Sequence, residues 1–131
     1  MKTIGEVVSQ STAAQSSAET NRQVVLDVVA IRARVQGDEE LLQEIVKLYL
    51  EDYPRMWSAV RDAVSRGDAS ALERAAHALK GSIANFETNA TYNAALRLES
   101  LGRAGDLTGA TEALKLLEEA LERLRVALTD F

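Results

Sequence analysis

From residue 24 onward apolar side chains return every three or four positions and never alternate at two, so the pattern predicts helices and no strands. "VLDVVAIRARV" (25–35) reads as a short first helix ending at Gly37. Asp38 then offers an N-cap, with Glu39 and Glu40 in the first turn, where acidic groups favour the helix dipole. In the second helix Leu42, Ile45, Tyr49, Tyr53, Met56 and Val60 form a stripe that stays in phase across Pro54. A kink is expected there and not a stop. "SRGDAS" (65–70) closes this helix with Gly67 and opens the third with Asp68.

Along the third helix Leu72, Ala75 or Ala76, Leu79, Ile83 and Phe86 make a narrow stripe, as in a helix packed among nearly antiparallel neighbours. The fourth is expected from about Thr91 to Ala104, burying Ala94, Leu98 and Leu101. Gly105 ends it, and Asp106 or Thr108 starts a last helix carrying Leu114, Leu117, Leu121, Leu124 and Leu128. Long amphipathic segments joined by short turns predict an all-α fold: an antiparallel up-down four-helix bundle with a short additional N-terminal helix laid across one end. Tyr49, Tyr53 and Trp57, on or beside the second helix's stripe, are expected to serve mainly in packing.

Residues 9–23, "SQSTAAQSSAETNRQ", hold no large apolar side chain. They cannot bury enough surface to offset ordering entropy, so residues 1–23 are expected to be a flexible tail or linker and 24–131 the bundle domain. The chain reads either as a small free protein or as the detached C-terminal domain of a longer one. At 131 residues it is long enough for one self-sufficient core. No segment predicts a membrane span or signal peptide, which points to a soluble, cytoplasmic protein.

Composition narrows the chemistry. The chain contains no cysteine and a single histidine, so disulfides and thiolate sites are excluded, and any metal site would need carboxylates for its remaining ligands. Fifteen basic against twenty acidic residues give a net charge of -5, without the basic stripe that binds nucleic acid. No phosphate-cradling glycine loop or dinucleotide fingerprint is present, so no cofactor is expected on this chain.

The lone histidine, His77, sits in "ERAAHALKGSIANF" (73–86). At about 100° per residue the stripe of the third helix lies about 200° from His77, which places the imidazole in water. Glu73, Arg74, Lys80, Gly81 and Ala84 share its face. Glu73 and Arg74 read as an ordinary solvated pair. Glycine inside a helix costs about 1 kcal/mol relative to alanine, so Gly81 calls for a reason such as close approach by another surface. An exposed imidazole can act as a general base, a metal ligand or a nucleophile. A base needs a pocket that a convex helix face does not offer, and Lys80 disfavours a metal. A nucleophile that takes up a phosphoryl group and passes it on needs exposure, a nearby cation and room for the donor, which these residues provide.

"AAHALKGSIANF" resembles the signature of the histidine-containing phosphotransfer (HPt) domains of multistep His-Asp phosphorelays. The likeness extends to "GDEELLQEIVKLYLEDYPRMWSAVRDAVSRGDASALERAAHALKGS", including its mid-helix proline, and to "LRLESLGRAGD". It implies that His77 is phosphorylated at the ring nitrogen farther from the backbone and that Lys80 stabilises the phosphoryl group. It also implies that Gly81 leaves space for a docking receiver domain, of a response regulator or a hybrid sensor histidine kinase; helical geometry adds Ala84 to that space and Arg74 to the docking face. Mg²⁺ and the aspartate that donates or accepts the group would then belong to the receiver, and this chain would be a phosphoryl carrier, not an enzyme, and a monomer. Ile83 stands where the family usually has a small residue, and Glu87 where it commonly has glycine. Ile83 is expected to alter packing only. Without that glycine, Asn85 or Asn89 would cap the third helix, or the helix would run on. The competing class is a non-catalytic adaptor bundle that has lost phosphotransfer. A third is an enzyme with His77 as base, which would require an enclosed pocket.

Overall fold

The structure, a computed structural model, describes residues 28–86 and 89–130. The tail predicted for residues 1–23 lies outside them, as do Glu87 and the first three residues of the expected first helix. Among the described residues the fold is helical, with no strand: α1 (Val28–Arg34), α2 (Glu39–Arg66), α3 (Ala69–Ile83), a 3₁₀ turn (Ala84–Phe86), α4 (Asn89–Ala104) and α5 (Ala110–Thr129). No helix among them is long and apolar enough to cross a membrane.

Two predicted caps are in place. Asp38 accepts a hydrogen bond from the Leu41 amide and Asp68 one from the Ala71 amide, both at 3.0 Å, satisfying N–H groups that the first turn leaves without helical partners. Gly67 takes the left-handed conformation (φ 67°) that ends α2, and its neighbour Asp68 donates its amide to the Ala63 carbonyl. The 28-residue α2 runs uninterrupted through the exposed Pro54.

The asparagine caps offered for the C-terminal end of α3 are not used, and α5 starts later than either Asp106 or Thr108. Neither Asn85 nor Asn89 adopts positive φ; Gln36 alone does among the described non-glycine residues. Instead α3 tightens after Ile83 into the 3₁₀ turn, which carries Phe86 into the core. Asp106 does not start α5: its side chain accepts from the Thr108 amide at 3.0 Å, closing a local turn, and the helix begins at Ala110 after the left-handed Gly109.

The core joins Leu42, Val46 and Val60 of α2, Leu72, Leu79 and Ile83 of α3, Leu98 of α4 and Leu117, Leu124 and Leu128 of α5, all buried. Tyr49 stacks on Tyr53 at 5.0 Å and meets Phe86 edge-on at 5.1 Å, a packing role for these aromatics. Ile31, the one buried residue of α1, ties that helix to the core, and Arg32 pairs with Glu39 at 2.7 Å. In α4 the buried face is turned from the one expected: Thr91, Ala95, Leu98, Glu99 and Gly102 are buried, while Ala94 and Leu101 are half-buried.

The most extensive contact between helices is that of α3 with α4. Gly102 explains its closeness. A Cβ built there would lie 2.6 Å from the Glu73 amide nitrogen and 2.7 Å from the Ala69 carbonyl oxygen, so the two backbones meet where only glycine fits. The helices run antiparallel through this point, which sets Glu99 beside His77 and Arg103 beside Glu73.

Candidate functional site

His77 stands on α3 with its side chain 68% exposed, opposite the buried Leu72, Ala76, Leu79 and Ile83, as the helical arithmetic requires. Its Nδ1 lies 2.9 Å from Oε2 of Glu99, a carboxylate only 2% exposed on α4. Lys80, one turn along α3, brings Nζ to 2.7 Å from the other oxygen, Oε1, and lies over the Tyr92 ring at 5.8 Å. Its side chain is 16% exposed, and its ammonium is anchored on Glu99. Arg103 completes the cluster, donating from Nη2 to Oε2 of Glu99 at 3.0 Å and from Nε to Glu73 at 2.9 Å.

These contacts decide which nitrogen of the neutral ring carries the proton. Hydrogen bonding from Lys80 holds the Glu99 carboxyl below the usual carboxylate range; burial opposes this, and His77 adds to it. Glu99 is therefore ionised near neutrality and can only accept hydrogen bonds. Nδ1 of His77 must then carry the proton, and in the neutral ring the lone pair resides on Nε2. With Nδ1 turned to the buried acid, Nε2 is at the solvent end of the ring, available as a nucleophile.

The surroundings of the ring are open. A Cβ at Gly81 would meet nothing within 4 Å, so no internal packing accounts for this helical glycine. Ala84, the half-buried C-cap of α3, adds little bulk. Arg74 is exposed and donates to Ser70 at 2.6 Å. The solvated Glu73–Arg74 pair expected from the sequence is not the arrangement found: Glu73 reaches across to Arg103. On the α2 side of the Gly81 turn a shallow groove of about 190 Å³ is lined by Ile45, Leu48, Tyr49, Asp52 and Met56 of α2, by Ser82 of α3 and by Asn85 of the 3₁₀ turn. His77 does not line it.

Of the residues singled out in the sequence, His77 and Lys80 are brought together at Glu99, a residue that sequence reasoning missed along with Arg103. A signal for Glu99 was present. It falls among Ala95, Leu98 and Gly102 on the buried arc of α4, and an acid at a core position implies a buried cationic or hydrogen-bonding partner.

Comparison with known proteins bears on the family and on the fold. The family model for the Hpt domain matches residues 44–127, a span that includes His77, Lys80, Glu99 and Arg103. No match is found among curated protein sequences. Among solved structures, the fold is similar to the crystal structure of histidine-containing phosphotransfer protein B from Pseudomonas aeruginosa PAO1, at a TM-score of 0.75 and 22% identity, covering 81% of this chain and 92% of that one. With the family model spanning well over half the chain, and the motif histidine standing exposed on the third helix of the bundle, the chain belongs to the Hpt domain family and takes part in histidine phosphotransfer in phosphorelay signalling.

Proposed function

We propose that His77 is the residue that carries the phosphoryl group, accepting it at Nε2 from a receiver-domain aspartate and returning it to the aspartate of another receiver. The observation that carries this reading is the contact of Nδ1 with the buried, ionised Glu99, which leaves the Nε2 lone pair on an exposed ring. In the forward step Nε2 attacks phosphorus, the N–P bond forms, and the acyl-phosphate P–O bond breaks as the aspartate carboxylate leaves. The ring keeps its proton on Nδ1 and takes up positive charge, which the Glu99 carboxylate stabilises. Return transfer reverses each of these changes, so no net proton is exchanged.

Lys80 supplies positive potential beside the phosphoryl group while remaining tethered to Glu99. Gly81 and Ala84 leave room for the receiver, Arg74 lies at the edge of the contact, and the apolar groove between α2 and α3 extends the docking face. Mg²⁺ and the acidic pocket that binds it belong to the receiver. The partners are receivers of response regulators or of a hybrid sensor kinase, and the carrier acts as a cytoplasmic monomer without a nucleotide site or catalytic turnover of its own.

The test is incubation with a phosphorylated receiver and Mg²⁺, followed by assay for acid-labile, base-stable phosphate. Label on the wild-type chain and none on His77→Gln is the expected result. Label retained by His77→Gln, or none on either protein with several donors, would overturn it.

A further inference from the structure

Oε2 of Glu99 serves two donors, His77 Nδ1 at 2.9 Å and Arg103 Nη2 at 3.0 Å. Such sharing is consequential because a carboxylate that gives electron density to one donor has less to give the other, and because this one is 2% exposed, where hydrogen bonds are little weakened by water. Arg103 is itself divided, since its Nε is held by Glu73 at 2.9 Å. The remaining charged groups on this face are Lys80, paired with the other oxygen of Glu99, and Arg74, directed to Ser70.

We propose that Arg103 is a positioning residue that sets how much of the Glu99 charge is available to His77, and through it the balance of the phosphoryl group between His77 and the partner aspartate. This rests on His77 being the phosphoryl acceptor. Formation of the N–P bond leaves the imidazole cationic with Nδ1–H on Glu99, so anything that strengthens Oε2 as an acceptor favours the phosphorylated histidine. By drawing on the same oxygen, Arg103 keeps that state from becoming too stable to hand on. Glu73 acts one step further out by drawing on Arg103.

The experiment uses the full chain, Arg103→Ala, Glu73→Gln, Glu99→Gln and the double variant Arg103→Ala/Glu99→Gln. Arg103 is 64% exposed near the end of α4, and its truncation leaves the core untouched. Two quantities are read: the Nδ1–H proton resonance of His77, which moves downfield as its acceptor strengthens, and the equilibrium constant for transfer from a phosphorylated receiver. Arg103→Ala is expected to move the resonance downfield and to shift the equilibrium about threefold toward phosphohistidine, the effect of about half a pK unit of differential stabilisation. Glu73→Gln, which removes the charge that competes with Glu99 for Arg103, is expected to move both the other way. In the Glu99→Gln background the Arg103→Ala change is expected to move neither.

A resonance that stays put or moves upfield in Arg103→Ala overturns the proposal. So does an effect of undiminished size in the Glu99→Gln background, which would show that the guanidinium acts on the ring through space. If no receiver labels the wild-type chain, the reading of His77 as acceptor falls and the equilibrium half of the proposal with it. The resonance still decides whether Arg103 governs the Glu99 contact.

Discussion

Two glycines interrupt helices facing each other across the α3–α4 contact, and the structure assigns them opposite consequences when each is replaced by alanine. At Gly81 a new Cβ meets nothing within 4 Å, so the substitution removes only the glycine penalty. It is expected to stabilise the fold by about 1 kcal/mol, which raises Tm by about 5 °C in a domain of this size. At Gly102 the same methyl lands 2.6 Å from the Glu73 nitrogen and 2.7 Å from the Ala69 oxygen. Comfortable contact needs about 3.5 Å, so the helices must part by most of an ångström, and both obstructing atoms belong to a hydrogen-bonded backbone that cannot rotate away. Overpacking of this kind costs about 1–3 kcal/mol; near its upper end, less the propensity gain, the net loss is about 1–2 kcal/mol. The two variants should thus differ by about 2–3 kcal/mol in urea melts followed by circular dichroism. Function should separate them in a second way. Gly102→Ala moves Glu99 off His77 and slows phosphoryl acceptance, whereas Gly81→Ala is the more stable protein and yet docks a receiver less well. A Gly102→Ala protein as stable as wild type, transferring at the wild-type rate, would show that this glycine does not set the helix spacing.

Lys80→Ala removes the partner of Oε1 on a 2% exposed carboxylate, leaving Arg103 as its remaining ion pair, and is expected to cost about 2 kcal/mol in denaturant melts, besides slowing transfer; Arg66→Ala, which breaks exposed pairs with Asp62 and Asp68, should cost less than about 1 kcal/mol. The depressed carboxyl of Glu99 gives its unfolded form the greater affinity for protons, so its stabilisation is present above the ordinary value of 4.5 and is lost as pH falls through the lower folded one. Tm measured against pH should therefore fall less steeply below about pH 4.5 in Glu99→Gln than in wild type, and parallel curves would contradict the assignment. Asp68→Ala deletes the N-cap of the helix that carries His77 and should lower stability by about 1 kcal/mol, read by thermal melts, with His77 still able to accept phosphate.

The bundle was legible because its signals are local. Asp38, Gly67 and Asp68 each act within one turn of the chain, and the stripe of α5 depends only on spacing along one helix. His77 was placed in water by the same arithmetic. What escaped depends on how two helices face each other. Leu98 and Leu101 alone suggest one rotation of α4, while the close approach at Gly102 selects another, in which Glu99 turns inward and Leu101 is half-buried. Once α4 is so turned, the pairings of Glu99 with His77 and of Glu73 with Arg103 follow, at separations of 22 and 30 residues that no periodicity along a single helix encodes. The start of α5 was misplaced for a different reason. Asp106 is a good cap in sequence terms, and its side chain does accept an amide two residues on, but in a turn that precedes the helix.

The placement of charge accounts for how an acidic chain can exchange so anionic a group. The chain carries a net charge of -5, and a receiver brings its own carboxylates to the encounter, so long-range electrostatics oppose association. Around His77 the balance is reversed: Arg74, Lys80 and Arg103 stand against Glu73 and Glu99, three cations to two anions, and one of those anions is buried beneath the ring. With His77 as the proposed acceptor, the buried acid would give the imidazole the partner it needs when it becomes cationic, its own charge being offset by Lys80 and Arg103. Moving the carboxylate outward would keep the tautomer but confront the phosphoryl group with an exposed anion. Replacing it with an apolar residue would leave the cationic phosphoimidazole without a counter-charge. Setting an ionised acid under an exposed histidine requires cations from both helices and a backbone approach close enough to reach it, and Gly102 supplies that approach.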